Sequence, residues 1–127
     1  MMEFVSTPKA PAPGGHYSQA VIANGFVFVS GQLAQGPGND DIPADVRAQA
    51  KQVLANIEQI LLAAGSGLEQ IVNISVFITD IAHWPIVNDV FIQVFGSHKP
   101  ARIIAVSPEL HFGQVEMQAV ALVARST

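Results

Sequence analysis

Six polar or ionisable side chains stand inside otherwise apolar stretches of this chain: Tyr17, Ser30, Gln32, Arg102, Glu116 and Gln118. Arg102 is the most demanding of them. It heads "KPARIIAV", residues 99–106, a run that otherwise reads as a buried β-strand. A guanidinium cannot shed its charge, and leaving one buried without a partner is costly. Alternation puts residues 102, 104 and 106 on one face of that strand, and 116 and 118 on one face of the next. If residues 106 and 114 frame the intervening turn, the two strands pair antiparallel. Arg102 then faces Gln118, Ile104 faces Glu116, and Arg102 and Glu116 are diagonal neighbours about 7–8 Å apart. Two readings fit that geometry. In one, Arg102 and Glu116 form a structural ion pair at a sheet edge or a subunit contact. In the other, the planar fork of Arg102 meets a ligand carboxylate, and Glu116 holds or deprotonates a water beside that ligand. Spacing by itself does not choose between them.

Other chemistries find little support. The chain has no cysteine, so thiolate nucleophiles, disulfide frameworks and cysteine zinc sites are excluded. His16, His83, His98 and His111 are scattered without metal-ligand spacing and read as surface or turn residues. No glycine-rich stretch fits a phosphate loop or a dinucleotide fingerprint. Ser30 precedes Gly31, but no G-x-S-x-G elbow surrounds it, so a serine nucleophile is not expected.

The elements that must position these side chains follow from periodicity. Prolines at 8, 11 and 13, followed by Gly14-Gly15, predict an extended, irregular entry. Asn24-Gly25 between two apolar runs is a strong hairpin signal, with strands near 17–23 and 26–32. On the second strand, Phe26, Phe28, Ser30 and Gln32 are expected on one face, and Val27, Val29 and Gly31 on the other. Residues 33–44 read as a loop broken by Gly36, Pro37 and Gly38. Asp45 is a plausible N-cap for a helix that buries Val46, Ala50, Val53, Leu54, Ile57, Ile60, Leu61 and Ala64, with Gln49 among its polar residues, and stops at Gly65. "IVNISVFITD", residues 71–80, switches to period two, with Val72, Ile74, Val76 and Ile78 on one face. A second helix is predicted over His83 to Gly96, then strands Ala101–Val106 and Val115–Ala124 around a turn at Pro108–Gly113.

The order β-β-α-β-α-β-β within one domain, residues 1–127, gives an α+β fold. Two helices cover only one face of a sheet of about five strands. The other face carries residues such as Phe77, Val120 and Leu122, too apolar to leave wet, so association through that face is expected. Composition agrees: half the residues are hydrophobic and only 13% charged, and obligate interfaces resemble a core cut in half. A net charge of −4 without a basic cluster argues against nucleic acid or an anionic membrane as partner. The start lacks the charged and apolar regions of a signal peptide, so a cytoplasmic location is expected.

Taken together, "GGHYSQAV", "FVFVSGQ", "DVRAQAKQVLANIEQILLAAG", "IVNISVFITDIAHWPIVNDVF", "KPARIIAV" and "VEMQAVALVA" resemble, in order and spacing, the Rid family of reactive enamine/imine deaminases, also called the YjgF family. The resemblance implies a chorismate-mutase-like fold, a mixed sheet with two helices on one face, and a homotrimer with ligand clefts between subunits. It implies hydrolysis of 2-imino or enamine acids, such as 2-aminoacrylate or 2-iminopropanoate, to 2-oxo acids and ammonia, without metal or organic cofactor. By position, Arg102 resembles the arginine that grips the substrate carboxylate and Glu116 the carboxylate that places water. Tyr17, Ser30 and Gly31 resemble cleft-lining residues, and Asn88 a supporting one. The chain departs from the family pattern at Ile103 and Ile104, where a small hydroxyl residue and often cysteine are usual. Ile104 shares the face of Arg102, so an apolar contact is expected in the cleft. His16 replaces a common proline, and "SPELHFGQ" lacks the usual "LP". An alternative of another class is a non-catalytic regulatory module that binds small carboxylic acids.

Overall fold

A computed structural model describes residues 2–38 and 41–123. Along the chain run β1 (Glu3–Val5), β2 (Ala20–Ala23), β3 (Phe26–Gln32), α1 (Val46–Ala63), β4 (Ile71–Ile78), α2 (Trp84–Phe95), β5 (Ala101–Val106) and β6 (Val115–Leu122). The six strands form one mixed sheet in the order β1-β2-β3-β6-β4-β5. The α+β class and the two helices are as expected. The short first strand is an addition. Glu3–Val5 precedes the first proline, so its backbone donors are free to pair with Ala20–Ile22 of β2. Ala124, the expected end of the last strand, lies outside the described residues, as do Asn39 and Asp40 of the 33–44 loop.

The β2–β3 hairpin turns at Asn24 (φ 56°) and Gly25 (φ 82°), the left-handed pair that a two-residue hairpin turn requires. α1 starts where Asp45 Oδ1 accepts from the Ala48 N–H at 2.7 Å. Its stripe from Val46 to Leu61 closes the core against Val27, Val29, Ile74, Val76, Met117 and Ala119. Gly65 (φ 79°) follows its C-terminal end.

Two amides break the simple stripe. Gln49, read from the sequence as part of the polar face, is buried, as is Asn56. Asn56 Nδ2 donates to the carbonyls of Leu33 (3.1 Å) and Gln35 (2.6 Å). Gln49 accepts from the Gln114 N–H at 2.8 Å and donates to the Pro43 carbonyl at 2.9 Å. A helix side chain is thus buried because loop backbone needs a hydrogen-bond partner, not because it is apolar.

One expected register and two expected face assignments are overturned. β5 does not pair with β6; it runs parallel to β4, with Arg102 beside Ile74, and β4 separates it from β6. The turn at 107–114 therefore crosses over a strand instead of forming a hairpin. In β3 the pairing with β6 slips between Val29 and Gln32. This irregularity buries Gln32 opposite Met117, whereas strict alternation put it with Phe26 and Phe28. A similar shift between Ile71 and Asn73 leaves Val72 exposed.

The helices cover one face. The other carries Phe26, Phe28 and Leu122, each more than a third exposed, and Ile103 at 59%. Leu122 pairs with Phe26 and Val120 with Phe28 across the β3–β6 ladder, so these side chains form a continuous apolar surface.

Candidate active site

The sequence-predicted residues assemble into two groups, not one. Tyr17, Ser30, Gly31 and Glu116 line a cleft of about 630 Å³, together with Gln32, His111 and Phe112. Arg102 and Asn88 line a second, of about 350 Å³, with Phe91, Ile92 and Phe95 of α2.

Strand geometry separates them. Glu116 lies between the fully buried Val115 and Met117, and pairs with Phe77, so its side chain leaves the sheet on the helix-free face. Arg102 pairs with Ile74 and Ile104 with Val76, both fully buried beneath the helices, so Arg102 and Ile104 point to the helix-covered face. Arg102 and Glu116 are therefore not diagonal neighbours. Nor do they form an ion pair: the one salt bridge among the described residues joins Arg47 to Asp89 at 2.6 Å. Ile103, the neighbouring departure, points the opposite way to Arg102 and is exposed.

What Arg102 meets is aromatic. Its guanidinium carbon stands 4.8 Å from the ring centre of Phe91 and 5.5 Å from that of Trp84. These residues are seven apart on α2 and hence on one face of it. The rings attract the cation and hold its plane, but they use none of its five N–H donors. No hydrogen-bond or ion-pair partner for Arg102 occurs among the described residues. Burial lowers its pKa, yet a guanidinium remains protonated in proteins. The result is a charged, oriented fork at the free edge of a sheet, open to a planar anion.

The Glu116 cleft is built by the β3 irregularity and by the segment before β2. Buried Gln19 fixes that segment: its Oε1 accepts from Thr7 N–H at 2.8 Å, and its Nε2 donates to the carbonyls of Thr7 (3.1 Å) and Pro11 (2.9 Å). Ser30 Oγ donates to the Ser18 carbonyl at 2.6 Å, so its proton is already used, and Ser30 shapes the wall. The half-exposed Tyr17 hydroxyl accepts from Gly14 N–H at 3.1 Å, keeping its own proton for another acceptor. Gly31 is where the carboxylate fits, since a Cβ there would stand 2.5 Å from Glu116 Oε2. Burial raises the Glu116 pKa above the usual carboxylate value, and nearby His111 opposes the shift.

Sequence reasoning missed Trp84, Phe91, Gln19, His111 and Phe112. The seven-residue spacing of Trp84 and Phe91 was available as a signal, but nothing in the sequence paired that face with β5. Among the described residues no three His, Asp or Glu side chains gather as a metal site would need.

The family model described as Endoribonuclease L-PSP matches residues 7–123. The 2-iminobutanoate/2-iminopropanoate deaminase of Bos taurus is 41% identical over 124 residues, spanning 94% of this chain and 89% of that protein. Among solved structures, yeast Mmf1 aligns with a TM-score of 0.94 at 35% identity, covering 98% of this chain and all of that one. E. coli TdcF, crystallised with bound serine, aligns at 0.90 and 35%, covering 98% and 99%. With likeness spread over the whole fold and its motifs in order, the chain belongs to the Rid family, also called YjgF or RutC.

Proposed function

We propose that this protein is a hydrolytic deaminase of reactive 2-imino and enamine acids, acting at clefts that two copies of the chain complete. The observation that carries this reading is the unpaired fork of Arg102 on one face of the sheet, with Glu116 in its own cleft on the other. A three-carbon imino acid is far too small to bridge a sheet from face to face. One copy's Arg102 and another copy's Glu116 can share it. Such a contact is head-to-tail, and it closes into a ring when the rotation permits. A homotrimer built this way also covers the apolar face bearing Phe28 and Leu122.

The chemistry needs few parts. Arg102 takes the substrate carboxylate bidentately, with Asn88 beside it and Ile104 supplying an apolar contact on the same face. The imine carbon of the protonated substrate is already electrophilic. Glu116, on the far wall, accepts a proton from water as that water adds to the carbon, giving a carbinolamine. That proton passes from Glu116 to nitrogen, Glu116 takes the hydroxyl proton as the C–N bond breaks, and a 2-oxo acid leaves with ammonia, which takes up this last proton as ammonium. Gly31 leaves room for the carboxylate, Tyr17 offers a hydroxyl donor, and Ser30 holds the wall. Orientation and one ordered water suffice, so no covalent nucleophile is required.

The bovine and caprine relatives are named for 2-iminobutanoate and 2-iminopropanoate, which supports this substrate class. An acidic chain whose Arg47 is already paired with Asp89 offers no basic track for RNA, despite the family model's description. The test is to generate 2-iminopropanoate in situ and follow pyruvate and ammonium. Wild type is expected to exceed buffer, and Arg102→Ala to lose about 100-fold or more in kcat/KM. Buffer-level rates with Arg102-dependent ligand binding would replace the enzyme by a carboxylate-binding regulatory module.

A further inference from the structure

Two loops that flank the Glu116 cleft come from distant parts of the chain. Leu33 and Gln35 belong to the segment between β3 and α1, and His111 and Phe112 to the crossover between β5 and β6. All four line the cleft with Glu116. One side chain is bonded to both loops. Gln49, in the first turn of α1, is only 3% exposed. Its Nε2 donates to the Pro43 carbonyl at 2.9 Å and to Gln114 Oε1 at 3.2 Å, and its Oε1 accepts from the Gln114 N–H at 2.8 Å. Both amide protons are thereby used. The crossover closes onto this amide at Gly113, where φ is 64° and a Cβ would stand 2.9 Å from Gln49 Oε1 and 3.5 Å from Ile42 Cγ2. That backbone and that approach favour glycine. Gln114 is held on its other side as well, since its carbonyl accepts from the Thr79 N–H at 3.2 Å, just past β4. The clamp at 113–114 thus lies between the two parts of the cleft that this stretch supplies, His111 and Phe112 before it and Glu116 after it.

We infer that Gln49 is a positioning residue for the reaction: by tying the crossover to the β3–α1 loop, it sets the wall that confines the water beside Glu116. Its role in turnover rests on the deaminase reading; the clamp itself does not. The proposed site takes its grip on the substrate carboxylate from another copy's Arg102, and its water and proton acceptor from this cleft. Loosening the wall misplaces the water while the grip stays, and small misplacements of reacting atoms are expensive. Loss of the clamp therefore appears in kcat far more than in KM. An amide that served stability alone would lower the unfolding midpoint and leave kcat of the folded protein unchanged.

Two measurements on the full chain test this, in wild type, Gln49→Met, Gly113→Ala and Ser66→Ala. Methionine keeps the length of glutamine and removes its hydrogen bonds, whereas alanine at 113 forces the clamp apart from the other side. Ser66 is the control: its buried hydroxyl donates to the Leu122 carbonyl at 2.6 Å, and it lines neither cleft. The first measurement is steady-state hydrolysis of 2-iminopropanoate, corrected for the buffer rate and made well below each unfolding midpoint. In Gln49→Met and Gly113→Ala, kcat should fall about tenfold with KM changed less than about twofold. Ser66→Ala should keep its kcat although its urea midpoint drops. Unchanged kcat in folded Gln49→Met overturns the inference, as does an equal loss in Ser66→Ala. If Gln49→Met does not fold, Gly113→Ala, which keeps every group of Gln49, decides in the same way. The second measurement needs no turnover: the amide signals of His111, Phe112 and Glu116 in nitrogen-15 NMR spectra should move in the clamp variants and not in Ser66→Ala. Unmoved signals overturn the inference whether or not the protein is a deaminase. Moved signals in a protein whose wild type shows no turnover would instead remove the deaminase reading, and the role in turnover with it, while leaving the clamp.

Discussion

At the scale of single residues, the account turns on two side chains with opposite problems. Arg102 cannot lose its charge, and the chain offers it ring faces instead of acceptors. Glu116 can lose its charge, and burial encourages it to. That makes a prediction about stability. A carboxyl whose pKa is raised on folding binds its proton more tightly in the native state than in the unfolded one. Its favourable contribution is full at low pH and is lost as the pH rises through the raised value. Glu116→Gln should therefore melt at or above the wild-type temperature at pH 8, with the difference vanishing near pH 4, while deaminase activity is lost. Calorimetry across that range checks the sign; a variant less stable than wild type at pH 8 would contradict it. Gly31→Ala should act through the same carboxylate. The backbone there needs no positive φ, but the added Cβ collides with Oε2, so Glu116 must swing away. About tenfold or more should be lost from kcat/KM with little change in urea midpoint.

At the scale of elements, local chemistry was readable and strand neighbours were not. The Asn24-Gly25 turn, the Asp45 cap, the apolar stripe of α1 and strand β5 all lie where residue patterns place them. The pairing of β5 with β4 does not follow from any pattern within β5. A run such as "ARIIAV" accepts a parallel or an antiparallel neighbour equally, and only the packing of α2 across the sheet decides. The face of Gln32 was misread for a related reason: one slip in pairing inverts alternation beyond it. Buried amides were missed because burial of Asn56 is dictated by the carbonyls of Leu33 and Gln35, far away in sequence. Asn56→Ala strands both acceptors and should cost about 1–3 kcal/mol in urea-induced unfolding. Because this loop follows β3 directly, activity should fall as well. An unchanged midpoint would show that the amide does not tie loop to helix.

At the scale of the whole molecule, the separation of Arg102 from Glu116 changes what an active unit is. Tyr17, Ser30, Arg102 and Glu116 stand out in the sequence as polar exceptions within apolar runs, whereas Gly31 and Asn88 were named only through the resemblance to the Rid family. The distribution of Arg102 and Glu116 over two faces was not legible, since the assumed β5–β6 pairing placed both on one. A sheet with one face under helices and Phe28, Ile103 and Leu122 on the other has reason to associate, and in the proposed mechanism association brings an arginine and a glutamate to one substrate. The central claim is thus that each site draws Arg102 from one chain and Glu116 from another. It is tested most directly by subunit complementation. Arg102→Ala and Glu116→Gln are each expected to be inactive on 2-iminopropanoate. Differently tagged variants are then unfolded together, refolded as an equal mixture and purified through both tags. In every trimer that carries both tags, about a third of the sites join an intact arginine to an intact glutamate, so about that fraction of wild-type activity should return. Mixed assemblies as inactive as their parents would contradict the account.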